Sequence, residues 1–161
     1  MRRNAYPIGV LPERGNGAVA LDPEREDLDV VIERIEPWTY HPFETGGFQL
    51  HPLPPGGARP SVTFRGIASS SRAQILGLLL HGNARGRTVT FRVVVEATGG
   101  PQLAETSVTV AGGELASLAL PFVTDGRQVN VRFETAVAEH AADAAFAWAR
   151  ALGIALVPDN A

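Results

Sequence analysis

Six residues, Trp38-Thr-Tyr-His-Pro-Phe43, hold the densest group of aromatic side chains in the chain. Aromatic rings cover the flat C–H faces of sugars at low entropy cost, and a histidine beside them supplies a polar edge. Trp38, Tyr40, His41 and Phe43 are therefore a candidate stacking platform for a ligand. The commoner fate of aromatics in a small domain is burial, with Trp38 and Phe43 plugging one end of a core. The arginines come second. All 14 basic residues are Arg, and the chain has no Lys. Arg65, Arg85, Arg87, Arg92 and Arg132 fall at outward positions of alternating stretches or in turns. On a shared sheet face they could grip an anionic ligand, or pair with Glu96 and Glu134 across strands, which is the plainer use. Arg92 and Arg132 join the aromatic loop in the candidate binding set.

Other chemistries find little support. Ser69-Ser-Ser71 lacks a Gly-x-Ser-x-Gly setting. Glu33, Glu36 and Glu44 could supply a carboxylate pair for glycoside cleavage, but an acidic surface explains them more simply. His41, His51, His81 and His140 lack HxH or HxxxH spacing, and zinc needs three or four convergent ligands. His41 and His51 could converge through Gly46-Gly47. Asp125 is a lone turn carboxylate, where calcium needs a cluster. The absence of Cys excludes thiolate sites, and the absence of Lys excludes Schiff-base chemistry. No catalytic residue, metal or cofactor is expected. The formal charge of -3 argues against a nucleic-acid partner held by bulk electrostatics. Met1-Arg2-Arg3 is followed by no apolar stretch, so no signal peptide is read, and a cytoplasmic location is the default. The apolar run Ile75 to Leu80 is too short to span a bilayer.

The elements that must position these residues read as strands. In Thr88-Val-Thr-Phe-Arg-Val-Val-Val-Glu96, Val89, Phe91, Val93 and Val95 share one face, while Thr90, Arg92 and Glu96 share the other. That period of two marks a half-buried strand, central to an all-β domain. Similar alternation runs through 61–65, 105–110, 115–122 and 128–134. Gln74 to Leu80 is nearly all apolar, as expected of a strand covered on both faces. Thr124-Asp-Gly-Arg127 reads as a hairpin-type turn. Leu28 to Ile35 fits a helix or a strand, and the β-branched Val30-Val31-Ile32 favours the strand. Ala136 to Ala149 could hold a helical turn near His140 to Ala145, then a strand through Phe146 to Trp148. The organisation expected is an irregular N-terminal arm (1–27), one β-sandwich domain (28–157) and a tail (158–161).

Three stretches resemble the galactose-binding-like jelly-roll sandwiches of carbohydrate-binding modules. They are Arg87 to Gly100, similar to a "gv.F.V.vdG" strand and turn; the strands Leu115 to Phe122 and Gln128 to Thr135; and Ala142-Asp-Ala-Ala-Phe-Ala-Trp-Ala-Arg150, similar to a "D.a.Wa.P.l" ending, with Arg150 in place of the usual Pro. The resemblance implies an antiparallel jelly-roll β-sandwich in which Asp143 orients a loop and Trp148 packs inside. It also implies a non-catalytic module binding a glycan or other polysaccharide through the aromatic loop and the polar sheet face. The alternative is a structural protein that self-associates through its sandwich and N-terminal arm, giving a homo-oligomer or a parent complex.

Overall fold

The computed structural model describes residues 17–43, 46–54, 58–126, 128–137, 144 and 146–159. Its strands are β1 (Val19–Ala20), β2 (Asp29–Glu33), β3 (Tyr40–Pro42), β4 (Phe48–Leu50), β5 (Ser61–Ile67), β6 (Arg72–His81), β7 (Val89–Ala97), β8 (Gln102–Val110), β9 (Leu115–Val123), β10 (Val129–Val137) and β11 (Ala149–Pro158), with a 3-10 turn at Pro37–Thr39 before β3. They form two sheets. One has five strands in the order β2-β5-β10-β7-β8; the other has six, in the order β3-β4-β11-β6-β9 with β1 beside β11.

Every ladder is antiparallel, and the pairings nest. β7 pairs with β8, β6 with β9, β5 with β10 and β4 with β11. Successive pairs alternate between the two sheets. The chain is thus one long hairpin rolled on itself, which is the jelly-roll sandwich.

The alternation seen in the sequence decides what lies between the sheets. β10 presents Val129, Val131, Phe133 and Val137 inward, all buried, with Asn130, Arg132 and Glu134 on the outer side. Phe133 meets Phe48 of the opposite sheet edge-on, ring centroids 5.6 Å apart, and Phe64 at 6.2 Å. Complete burial of each such ring contributes about 1.5–3 kcal/mol. One polar tie crosses this core: Thr135 Oγ1 donates to the Leu50 carbonyl at 2.9 Å. It satisfies a buried hydroxyl that would otherwise be costly.

Several expectations change. Asp125-Gly126 does not close a hairpin, because β9 pairs with β6 while β10 pairs with β5 and β7. Asp-Gly suits any tight reversal, here with Gly126 at φ 91°, and in this chain the reversal crosses between sheets. Among the described residues, the apolar β6 is covered on one face alone. Ala73, Ile75 and Leu79 are buried, whereas Leu76 and Leu80 are half-buried and Leu78 is exposed. Its outer face continues into exposed Leu115 and Val123 of β9. The 28–35 stretch is a strand over Asp29–Glu33. Phe146 lies in a turn at φ 59° and not in a strand. His140 and Asp143 lie outside the described residues. Val19 and Ala20, within the stretch read as an arm, pair with Leu156 and Ala155 of β11, and Leu21 is buried.

Candidate functional site

β3 and β4 form a short hairpin on the edge of the six-stranded sheet, and β11 lies directly beside β4. Register fixes which side chains share the outer face. His41 faces Gln49, Gln49 faces Arg150, Arg150 faces Leu80, and Leu80 faces Leu115. Period two then assigns the neighbouring outward positions. Along β11, Ala149 and Ala151 are buried, so Trp148, Arg150 and Leu152 turn outward. Along β4, Phe48 and Leu50 are buried, so Gln49 and His51 turn outward.

These residues assemble a platform. Trp38, on the 3-10 turn, is 55% exposed and meets His51 edge-on, with centroids 5.0 Å apart. His41 meets Phe43 edge-on at 5.7 Å. The guanidinium of Arg150 lies 5.0 Å from the Phe43 ring and 5.3 Å from the Trp148 ring. Its Nε donates to Gln49 Oε1 at 2.9 Å. Behind it lies Gly82, where an added Cβ would come within 2.8 Å of Arg150 Cζ. No larger residue fits there without moving the guanidinium. Gly82 N–H also donates to the Trp148 carbonyl at 2.9 Å, holding the start of β11 in place.

The loop behind this corner is organised by His81, which is fully buried. Asn83 N–H points at its Nδ1 at 3.3 Å, so Nδ1 accepts and Nε2 carries the proton. Nε2 donates to the Arg87 carbonyl at 2.6 Å. Burial pushes the imidazole below its ordinary pKa and outweighs the hydrogen bond to Arg87. A neutral histidine of one tautomer thus ties β6 to the loop that carries Gly82.

The candidate binding residues divide into three groups. Trp38, His41 and Phe43 are on the platform. Tyr40 belongs to the same strand but is 5% exposed and turned inward. Its hydroxyl donates to Glu24 Oε2 at 2.8 Å, and Arg34 caps its ring. Burial, then that hydrogen bond, raise its pKa. Arg92 and Arg132 lie on the outer face of the five-stranded sheet, on β7 and β10. Arg92 Nε donates to Glu105 Oε2 at 2.6 Å, and its Nη1 to Glu134 Oε1 at 3.3 Å. Arg132 Nε lies 3.3 Å from Glu134 Oε2. This ladder of cross-strand charges covers Val94, the outward valine of β7, which is 1% exposed. The six residues therefore do not converge on one site.

Gln49, His51, Trp148 and Arg150 complete the platform and were not singled out as binding residues in the sequence. Trp148 does not pack inside; it is half-buried, with its ring against Arg150. The signal for both was the alternation Trp148-Ala-Arg150-Ala, in which the small residues take the inner face. His41 and His51 sit at different register positions and do not converge: His41 faces Gln49, while His51 N–H donates to the Thr39 carbonyl. Among the described residues no three His, Asp or Glu side chains gather.

No family model matches the chain, and neither does any curated protein. Solved structures with a similar fold include the family 11 carbohydrate-binding module of a cellulosomal cellulase of Clostridium thermocellum, at 9% identity over 89% of this chain and 95% of that one, with a TM-score of 0.45. A xylan-binding domain from Paenibacillus barcinonensis is similar at 11% identity over 90% and 87%, with a TM-score of 0.46. An arabinose-bound α-L-arabinofuranosidase is similar at 16% identity over 83% of this chain, with a TM-score of 0.44, and this chain spans 22% of its length.

Proposed function

We propose that this chain is a non-catalytic carbohydrate-binding module that seats a glycan on the outer face of the six-stranded sheet. The reading is carried by one observation: Trp38, Phe43 and Trp148, one exposed and two half-buried, share a sheet face with the polar groups of His41, Gln49, His51 and Arg150. Rings supply the stacking that a sugar face needs, and fixed polar groups beside them read its hydroxyls. From Thr39 to Phe43 the hairpin runs about 13 Å, room for an extended oligosaccharide rather than a single ring. None of the seven platform side chains is a carboxylate, whereas hydrolysis of a glycosidic bond calls for two flanking the scissile position.

Both tryptophans of the chain belong to the platform, so intrinsic fluorescence reads it directly. Titration with a panel of plant and microbial oligosaccharides should shift the emission. Trp38→Ala and Trp148→Ala should each weaken binding by about 10-fold, the loss expected for one stacking ring. Unchanged affinity in both variants, or no response to any sugar, would reject this site.

A further inference from the structure

We infer that the platform is built for an acidic sugar, its oxyanion (a uronate carboxylate or a sulfate ester) received by Arg150. This deepens the glycan-binding reading above and rests on it. Three of the other sheet-face arginines of the described residues are paired with carboxylates within the protein. Arg65 pairs with Asp29, Arg92 with Glu105 and Glu134, and Arg132 with Glu134. Arg150 differs. Among the described residues its only hydrogen bond goes to the neutral amide oxygen of Gln49, and no carboxylate lies within ion-pair distance.

The guanidinium is also held in one orientation. Phe43 and Trp148 flank it, Gly82 backs it, and Gln49 takes its Nε–H. Nε is thereby used, and the Nη1–Nη2 edge remains. That edge presents two parallel N–H donors, the fork that matches two coplanar oxygens of an oxyanion. Packing against the rings leaves the side chain half-buried, so its charge counts for more toward a ligand than that of a fully solvated side chain. A hydroxyl-only sugar would leave that charge without a counter-ion. The aromatic neighbours would cover the ring of the same sugar residue. Arg150 thus selects a glycan by charge, while Trp38 and Trp148 hold it by area.

The test is isothermal titration of the full chain with an oligogalacturonide, with the same oligosaccharide after carboxyl reduction, and with a sulfated galactan oligosaccharide. A melting curve of each variant checks its fold. One or both acidic sugars should bind about 10-fold or more tightly than the reduced one, and Arg150→Gln should erase that difference. The two acidic arms separate carboxylate from sulfate. Arg150→Lys, which keeps the charge but loses the fork, should recover only part of it. Should Arg150→Gln not fold, the unmodified chain still decides, because added salt should weaken acidic-sugar binding and leave neutral-sugar binding alone. Equal affinity for acidic and reduced sugars overturns the inference and leaves the glycan reading intact. Binding of neither class overturns both. A poly-glutamate peptide that binds where no sugar does would also overturn both.

Discussion

Lowering the pH from about 7.5 to about 5 should destabilise this fold through His81, and the sign follows from the geometry. His81 is fully buried and neutral, with Nδ1 accepting from Asn83 and Nε2 donating to Arg87. A second proton would go on Nδ1, directly against the Asn83 N–H, in a pocket that also feels the positive charge of Arg150. Burial accordingly lowers the folded-state pKa, while the unfolded chain keeps the ordinary histidine value. The unfolded state therefore binds more protons below about pH 6.5, and stability falls as pH drops through that value. The slope reaches at most about 1.4 kcal/mol per pH unit, and the loss grows as pH falls below about 6.5 until the pH passes the lowered folded-state pKa. Above about pH 7 the contribution is complete and stability is level. Glu105 and Asp27, held low by hydrogen bonds from Arg92 and Arg25, lose their contribution only at more acid pH. Urea unfolding across the window measures the slope, and His81→Gln supplies the control. The variant should be less stable at neutral pH, because glutamine cannot meet both partners, but nearly flat from pH 7 to 5. A wild-type curve that is flat there, or a variant that keeps the wild-type slope, would refute the argument.

Three further outcomes separate the core, the two faces and the site. Phe133→Ala removes the ring that bridges Phe48 and Phe64 across the sheets and should cost about 3–5 kcal/mol in chemical unfolding. Gly82→Ala inserts a methyl group against a flexible side-chain end rather than against backbone. It should displace the Arg150 guanidinium, lowering glycan affinity by about 10-fold with a melting temperature close to wild type. Arg92→Ala opens the charge ladder on the opposite sheet and should leave glycan titrations unchanged while exposing Val94, a change that tryptophan emission should not report.

How much of this was legible beforehand differs between fold and site. The strands could be read because a pleated backbone alternates its side chains, and Val129-Asn-Val-Arg-Phe-Glu134 carries that alternation in its residue types. The Leu28 to Ile35 ambiguity was resolved by β-branching, which favours a pleat over a helix. Pairing could not be read in the same way. Asp125-Gly126 specifies a reversal but not the sheet to which the next strand returns. An apolar strand such as β6 looks alike whether one or both of its faces are covered.

The site was half visible for the same reason. Trp38, His41 and Phe43 are neighbours in sequence, so their types alone suggested a platform, although alternation turned Tyr40 into the core. Arg92 and Arg132 were legible as outward residues but not as residents of the other sheet, where Glu105 and Glu134 neutralise them. Trp148 and Arg150 stand about a hundred residues from Phe43 and meet it only because β11 pairs with β4. Local periodicity by itself determined an all-β chain with a polar and an apolar side to each strand. Tertiary structure alone decided which outward sides became one surface, because that depends on long-range ladders whose partners no short stretch of sequence encodes.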